Sequence, residues 1–592
     1  MRILDDELIL SPSDLTGFAA CAHLTQLELQ AVRGQIEKPE RDDPLLDVLS
    51  KRGTEHEQAQ LAKQHAEAGA GRVVTISTET RTRADLLARA AETEQAMRDG
   101  ADVIYQAVFV DGRWAGYADF VWKVDRPSPN LGAWSYEVAD AKLARSVKAA
   151  AVLQCCAYSD AIARIQGVEP ERLHVITGDG ETHSFRVADY SAYYRRQKAD
   201  LEATVLDGVA ASAITLDTYP HPVDHCSICR WGAVCATQRR RDDHLSLVAG
   251  MSRSATRRLT DVDITTRRAL AAATVHERPP RMAEATYDKL RRQAALQVRG
   301  EGHTPPLFEL LPVVWPGAPG GPDPDDPFAE LRPRGLAALP APSPGDLFLD
   351  LEGDPYVDGG LEYLWGVTWV GAGGAPHYRA SWAHDRAAEK LAFEAVIDLI
   401  VARRAEHPGM HVYHYAPYEP SAIRRLMGTH GTRESEVDDL LTGEVFVDLY
   451  SVVRHSLRLS SESYSLKQVE KLYMQRPPGE VMDAGSSIVA YEEYLREPAQ
   501  DKLDAIERYN QDDCDSTLGL REWFEARRAE VEAAEGEIPR PVTTARDRTD
   551  LVAALDEVDA LADALIAGIP DDPTARTREQ QATWLLAQLL HW

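Results

Sequence analysis

Two runs rich in aromatic and β-branched residues flank Asp111–Gly112 in DVIYQAVFVDGRWAGYADFVWKVD, residues 102 to 125. That arrangement predicts a β-hairpin turning at the Asp-Gly pair. Residues 83 to 99 carry a helical pattern, and WSYEVADAKL, residues 134 to 143, reads as a third strand. SVKAAAVLQCCAYSDAIARIQG predicts a helix that stops at Gly167, and RLHVITGDGETHSFRV predicts another hairpin. Further along, DLFLDLEGDP, residues 346 to 355, reads as a buried strand. HVYHY then runs into a helix, and DAIERYNQDDCDSTLGLREWF, residues 504 to 524, reads as helix throughout. Strands interleaved with helices in both halves predict an α/β, multidomain chain.

Proline marks the division between the halves. Residues 312 to 345 hold ten prolines and five glycines, a density that helix and sheet interiors do not tolerate. The stretch therefore reads as an extended linker or surface excursion. The organisation expected is 1–245, a helical connector 246–311, the linker 312–345, a second unit 346–535 and a helical segment 536–592. Residues 529 to 564, rich in Ala, Glu and Asp, read as helical connector. Trp584, Leu585, Leu589 and Trp592 form an apolar stripe on a terminal helix, which is expected to pack on something.

Charge narrows the picture. With 65 basic and 94 acidic residues the net charge is −29, which argues against a broad nucleic-acid-binding face and restricts any such contact to a local basic groove. There is no apolar run long enough to span a bilayer, and the amino terminus lacks a basic leader. Seven cysteines in 592 residues suit a reducing, cytoplasmic compartment rather than a disulfide scaffold.

The first chemical constellation lies on the early strands. Asp119 sits on the second. Asp140 and Lys142, two apart on the third, leave the same face. Gln154 and Tyr158, four apart, share a helix face, and His56 lies upstream in KRGTEHEQ. Carboxylates of this kind hold Mg2+ or Mn2+, and a lysine beside them can orient water and stabilise a charged transition state. The order His56, Asp119, Asp140-x-Lys142, Gln154-x-x-x-Tyr158 resembles the PD-(D/E)xK nucleases of the RecB type. The resemblance implies a restriction-endonuclease-like core over 1–245, with His56, Asp119 and Asp140 on the metal and Lys142, Gln154 and Tyr158 as catalytic residues.

Three of the seven cysteines, Cys226, Cys229 and Cys235, fall within DHCSICRWGAVC. A close cluster in a reducing compartment points to metal. RecB-like nucleases of this kind carry a [4Fe-4S] cluster on one cysteine before the core and three after it, which implies Cys21 as the fourth ligand. Four thiolates suit zinc equally well on ligand chemistry alone. Cys155, Cys156 and Cys514, in apolar helical contexts, read as buried free thiols. Residues 250 to 275 resemble a helix-hairpin-helix element, with DVDI where glycine is expected, or form a plain helical connector.

The second constellation follows the linker. Asp350 and Glu352 project from one face of an apolar strand, an arrangement that is costly unless a cation neutralises it. Glu419 lies near a strand–helix junction after His414, and Tyr509 and Asp513 sit one turn apart on a helix. The order resembles the tyrosine-bearing DEDD exonucleases of the RNase H-like superfamily. It implies Asp350, Glu352, Glu419 and Asp513 as ligands of two Mg2+ or Mn2+ ions, and Tyr509 as the residue that orients water. Asp448 is expected to serve structure.

The pairing of the two units resembles a bacterial family of RecB-like nucleases in which the pair precedes a superfamily 1 helicase. No G-x-x-x-x-G-K-[ST] occurs here, so a helicase or helicase domain is an expected partner rather than part of the chain. The reading is a metal-dependent DNA nuclease of DNA repair, recombination or defence. A catalytically silent DNA-binding scaffold and an RNA-processing exonuclease are the alternatives.

Overall fold

The computed structural model describes residues 1–41, 43–68, 72–205, 218–313, 333–357, 359–371, 373–477, 479, 481–541, 558, 560–570 and 576–590. Among them no helix is long and apolar enough to cross a membrane.

The first half is built on a six-stranded mixed sheet. Helix α1 (Pro44–Ala68) precedes β1 (Val73–Thr75), and α2 (Arg83–Arg98) leads to β2 (Val103–Asp111) and β3 (Trp114–Val124). Then come β4 (Ser135–Ala141), α3 (Ala149–Gln166), β5 (Arg172–Ile176) and β6 (Thr182–Arg186). The strands lie in sequence order. The β1–β2 and β4–β5 pairs are parallel and the rest antiparallel. Both expected hairpins form. Asp111 pairs with Trp114, leaving Gly112 at the first central position with φ 56°, the positive φ that a II′ turn requires. α3 ends on Gly167 in the left-handed region.

The connector holds α4 (Arg253–Thr260), α5 (Arg267–Ala272) and α6 (Glu284–Arg299). Between α4 and α5 the amides of Val262 and Ile264 bond to the Leu259 carbonyl, and that of Asp263 to Thr260. The turn therefore offers none of these three donors to a phosphate, and this element is a packed connector around Leu259, Ile264 and Leu270.

The second half holds a five-stranded sheet. Strand β7 (Phe308–Leu310) comes first, then β8 (Leu347–Asp354), β9 (Leu361–Val370) and β10 (Pro376–Trp382). Helix α7 (Arg386–Glu406), β11 (Val412–His414), α8 (Tyr418–His430), β12 (Phe446–Asp448), α9 (Leu449–Ser456) and β13 (Leu457–Leu459) follow. The chain continues through α10 (Ala484–Arg496) into the long α11 (Gln500–Glu535). The sheet order is β10-β9-β8-β11-β12, antiparallel on the first three strands and parallel from β8 onward.

Period-2 alternation along β8 sorts its two faces. Leu347, Leu349 and Leu351 share a core with Phe393, Val396 and Ile397 of α7 and Ile423 and Leu426 of α8. Phe348 turns the other way, against Leu520 and Phe524 of α11. Asp350 and Glu352 have the parity of Phe348 and so face α11. Each buried Leu or Phe contributes about 1.5–3 kcal/mol, which makes a one-residue slip of β8 prohibitive.

Three expectations need correction. The stretch 312–345 is not extended throughout. Residues 314–332 lie outside the described residues, but Leu336, Ala337 and Leu339 are buried in the core beside α9 and α11. The expected helix over 529–564 breaks at Gly536, whose φ is 102°. Ile538 then turns back into the core, and its carbonyl accepts from Arg528. On the terminal helix (Arg578–Leu589) only Ala587 is buried, while Leu585 and Leu589 are exposed, and Trp592 lies outside the described residues.

The two halves meet through α1. Arg52 reaches Asp354 at the end of β8 with both nitrogens, at 3.0 and 2.6 Å, and also pairs with Glu492 of α10. The Asp354 side chain is fully buried.

Candidate functional site

The carboxylates at the end of β8 meet the α11 face opposite. Oxygens of Asp350, Glu352 and Asp513 all lie within 4.8 Å of one another, and Glu352 and Asp513 are buried. Three features of the backbone aim them. The β8–β9 register shifts between Glu352 and Gly353, a bulge that turns the strand as the acids end. Gly366 on β9 lies opposite Asp350, and a Cβ there would sit 1.6 Å from Asn510 Oδ1. Only glycine admits Asn510, which donates to Asp350 Oδ2 at 2.7 Å and to its carbonyl at 3.2 Å. Finally, Tyr509, Asn510 and Asp513 occupy one turn of α11, all buried.

Crowding shifts the protons. Burial first, then the charges of Asp513, Glu352 and Glu419, hold the Asp350 carboxyl well above its ordinary range. Burial, reinforced by Asp513 and opposed by the Ser487 hydroxyl, pushes Glu352 up to about 8. A cation is the natural counterweight. Carboxylate oxygens this close, in a buried pocket, fit Mg2+ or Mn2+, whose ligands sit about 2.0–2.2 Å away.

Cations of the chain already lean in. Arg476 pairs with Asp513 and, at 3.0 Å, with Glu470. Its guanidinium lies 5.6 Å from the Tyr509 ring centre and the Lys467 ammonium 4.7 Å from it. Tyr509 is held in the protonated form by burial and then by Asp513, so its hydroxyl is a donor. Arg476 and Glu470 were not legible as site residues in the sequence.

Glu419 is the expected ligand that the structure leaves outside this triad. It is buried, but its carboxylate lies 3.5 Å from His414 Nδ1. One of its oxygens has no hydrogen-bond partner, and its charge is felt at Asp350. Asp448 accepts from the Ala416 and Tyr450 amides, the structural role expected of it.

The first constellation also assembles. Asp140, fully buried on β4, pairs with Lys142 at 2.5 Å just beyond the strand. Asp119 on β3 accepts from the Ala141 amide at 2.9 Å. Burial and then the Asp140 charge push Asp119 up to about 8. Burial opposes the Lys142 ammonium, but Asp140 and Asp119 outweigh it and raise its pKa. His56 Nε2, on α1, is buried without a hydrogen-bond partner, as is Asp140 Oδ1. Glu57, beside His56, adds its charge at Asp119 and was missed in the sequence. It accepts from Tyr105 and Gln106, and Gln106 is held at φ 56°, a strained conformation for this residue. Gln154 and Tyr158 bond to each other at 3.2 Å, but the Tyr158 hydroxyl donates to the Tyr117 carbonyl at 2.6 Å. That contact holds β3, the strand of Asp119.

Cys21, Cys226, Cys229 and Cys235 line one small cavity with Leu24, Leu27 and Trp231. All four thiols are free. Burial, then Cys229, pushes Cys235 up to about 11, and burial raises Cys229. Cys155, Cys156 and Cys514 are buried free thiols, away from this cavity.

No curated protein matches the chain. Residues 347–525 match the family model of the RNase_H superfamily. That match falls on the antiparallel-then-parallel sheet and on the helix that completes the acidic triad. Residues 347–525 therefore form an RNase H-like domain.

Proposed function

We propose that the chain is a metal-dependent nuclease whose principal centre is Asp350, Glu352 and Asp513. The observation that carries this reading is the convergence of three carboxylates, from β8 and α11, on one pocket of an RNase H-like domain. Divalent metal held there supplies water activation and charge stabilisation at the leaving oxygen. Asn510 fixes the Asp350 carboxylate. The Tyr509 hydroxyl donates toward the pocket and orients the water. Lys467 and Arg476 offset the charge of an incoming phosphodiester.

Asp119, Asp140 and Lys142, with the unpartnered His56 nitrogen, support a second phosphodiester centre of the PD-(D/E)xK kind. Gln154 and Tyr158 brace it. The four thiols line one cavity; four thiolates there suit a [4Fe-4S] cluster, the proposed occupant, or zinc. DNA is the proposed substrate and a superfamily 1 helicase the proposed partner, in repair, recombination or defence in the cytoplasm.

Mn2+-dependent digestion of end-labelled single-stranded and duplex DNA by the anaerobically purified chain tests the function. No cleavage of either would overturn it. Thermal unfolding tests the centre separately. Glu352 binds its proton more tightly in the folded chain, up to about 8, so in EDTA its contribution is full at acid pH and is lost as pH rises toward about 8. Saturating Mn2+ is expected to raise the melting temperature, and by more at pH 8 than at pH 6, because the metal displaces that proton. Glu419→Gln is expected to keep most of the shift. A shift that vanishes in Glu419→Gln would return Glu419 to the ligand set.

A further inference from the structure

A cleft of about 510 Å3 opens between α6 of the connector and α9 with β13 of the RNase H-like domain. Volumes of this order, about 300–1,000 Å3, are those of ligand sites. Its charge departs sharply from that of the chain. Lys289, Arg292, Arg334, Arg454 and Arg458 line it with His455, against Asp288 as its one carboxylate. Asp288 is already shared between Arg291 and Arg292, at 2.9 and 2.6 Å. Arg458 leans away to Glu309 at 2.6 Å. Among the described residues neither Lys289 nor Arg454 has a carboxylate partner. Arg454 is held in place over the Tyr464 ring, 5.0 Å from its centre, and Tyr464 in turn is fixed by its hydroxyl on Gln293 at 2.7 Å.

In a chain of net charge −29, like charges gathered into one concavity repel one another without a counter-ion. The field of Arg454 and Arg458 does act on Lys289, whose pKa is lowered by burial and by both of them. The ligand that relieves such a site is a polyanion. Among the described residues the cleft shows no exposed aromatic face for bases, because Tyr464 is buried. It suits phosphates, not nucleobases. A route onward exists: Arg334 and His455 also line an adjoining cleft that reaches Asp448 and His414, and His414 sits on Glu419.

The geometry points to this cleft as a binding site for the phosphate backbone of a single nucleic-acid strand, independent of its sequence, which holds the strand beside the acidic centre. The inference rests on the nuclease reading for the identity of its ligand. It supplies the local basic groove that the overall charge demands.

The test is fluorescence anisotropy of a labelled single-stranded oligonucleotide on the full chain in EDTA, over a range of salt. Paired Lys289→Gln and Arg454→Gln are expected to weaken binding at least tenfold (about 1.4 kcal/mol). They should also make the slope of log K against log salt shallower by about 1.4, at about 0.7 per phosphate contact. Arg454→Lys, which keeps the charge, should retain most of the affinity, and Arg195→Gln, an exposed arginine on the far half, should change nothing. Equal affinity and slope for the paired variant and the unaltered chain would overturn the site. So would competition by polyglutamate as strong as that by the oligonucleotide, which would mark a groove for acidic protein segments. Loss of binding in the paired variant, with no Mn2+-dependent cleavage by the unaltered chain, would uphold the cleft and defeat the nuclease reading.

Discussion

In a Lys142→Met background, which silences the first centre, Asp350→Asn is expected to lower Mn2+-dependent cleavage by at least about 10³-fold, or ~4 kcal/mol of transition-state stabilisation. The substitution leaves the shape of the pocket intact, because an asparagine oxygen still accepts from Asn510. Charge is what it removes. Asp350, Glu352 and Asp513 crowd within 4.8 Å, so deleting one negative charge should raise metal-free stability while it eliminates the Mn2+-dependent gain. The two effects have opposite sign. Calorimetry with and without metal, beside the cleavage rate, separates a lost ligand from a damaged fold, which would lower both stabilities. Full cleavage by this double variant would remove catalysis from both centres.

Cys229→Ser is expected to abolish the visible colour of anaerobically purified protein and to unfold the first half at a much lower temperature. The cavity joins Cys21 to Cys226, Cys229 and Cys235, so a cluster there closes a loop of some two hundred residues around the six-stranded sheet. Loop closure of that length is worth about 5 kcal/mol by chain entropy alone. The raised thiol pKa values of Cys229 and Cys235 add that, without metal, these two are neutral thiols that contribute only packing. Cys156→Ala, in the buried face of α3, should cost about 1 kcal/mol and keep the colour. Colourless protein with one equivalent of zinc would leave the staple in place and refute the iron–sulfur assignment.

What the sequence discloses depends on how local its cause is. Asp350 and Glu352 were legible because a strand of alternating leucines forces its even positions to one face. Asp513 was legible by its place one helical turn from Tyr509, and the neighbouring Asp515 accepts from Thr368 instead. Glu419 stands apart from the triad, 3.5 Å from His414, a placement made by packing between β11 and α8 and not by spacing. Arg476 and Glu470 enter the pocket from a segment without periodicity. Prolines on both sides of 335–339 concealed its apolar packing, and the Ala, Glu and Asp of 529–564 outweighed Gly536, where α11 stops. The basic cleft had no sequence signature at all. Its cations come from α6, residue 334, α9 and β13, and the surplus of acids elsewhere hides their sum.

Arg52 bears on whether the RNase H-like domain is a module. Excision at residues 346 and 535 would strip Asp354 of its guanidinium and of the helix that covers it. It would also remove β7 from the edge of β13, Leu336 and Leu339 from the core, and Ile538 from above Arg528. At about 1.5–3 kcal/mol for each buried leucine or isoleucine, the lost packing is a large fraction of the ~5–15 kcal/mol that holds a typical domain together. The severed domain should therefore be poorly soluble or partly unfolded.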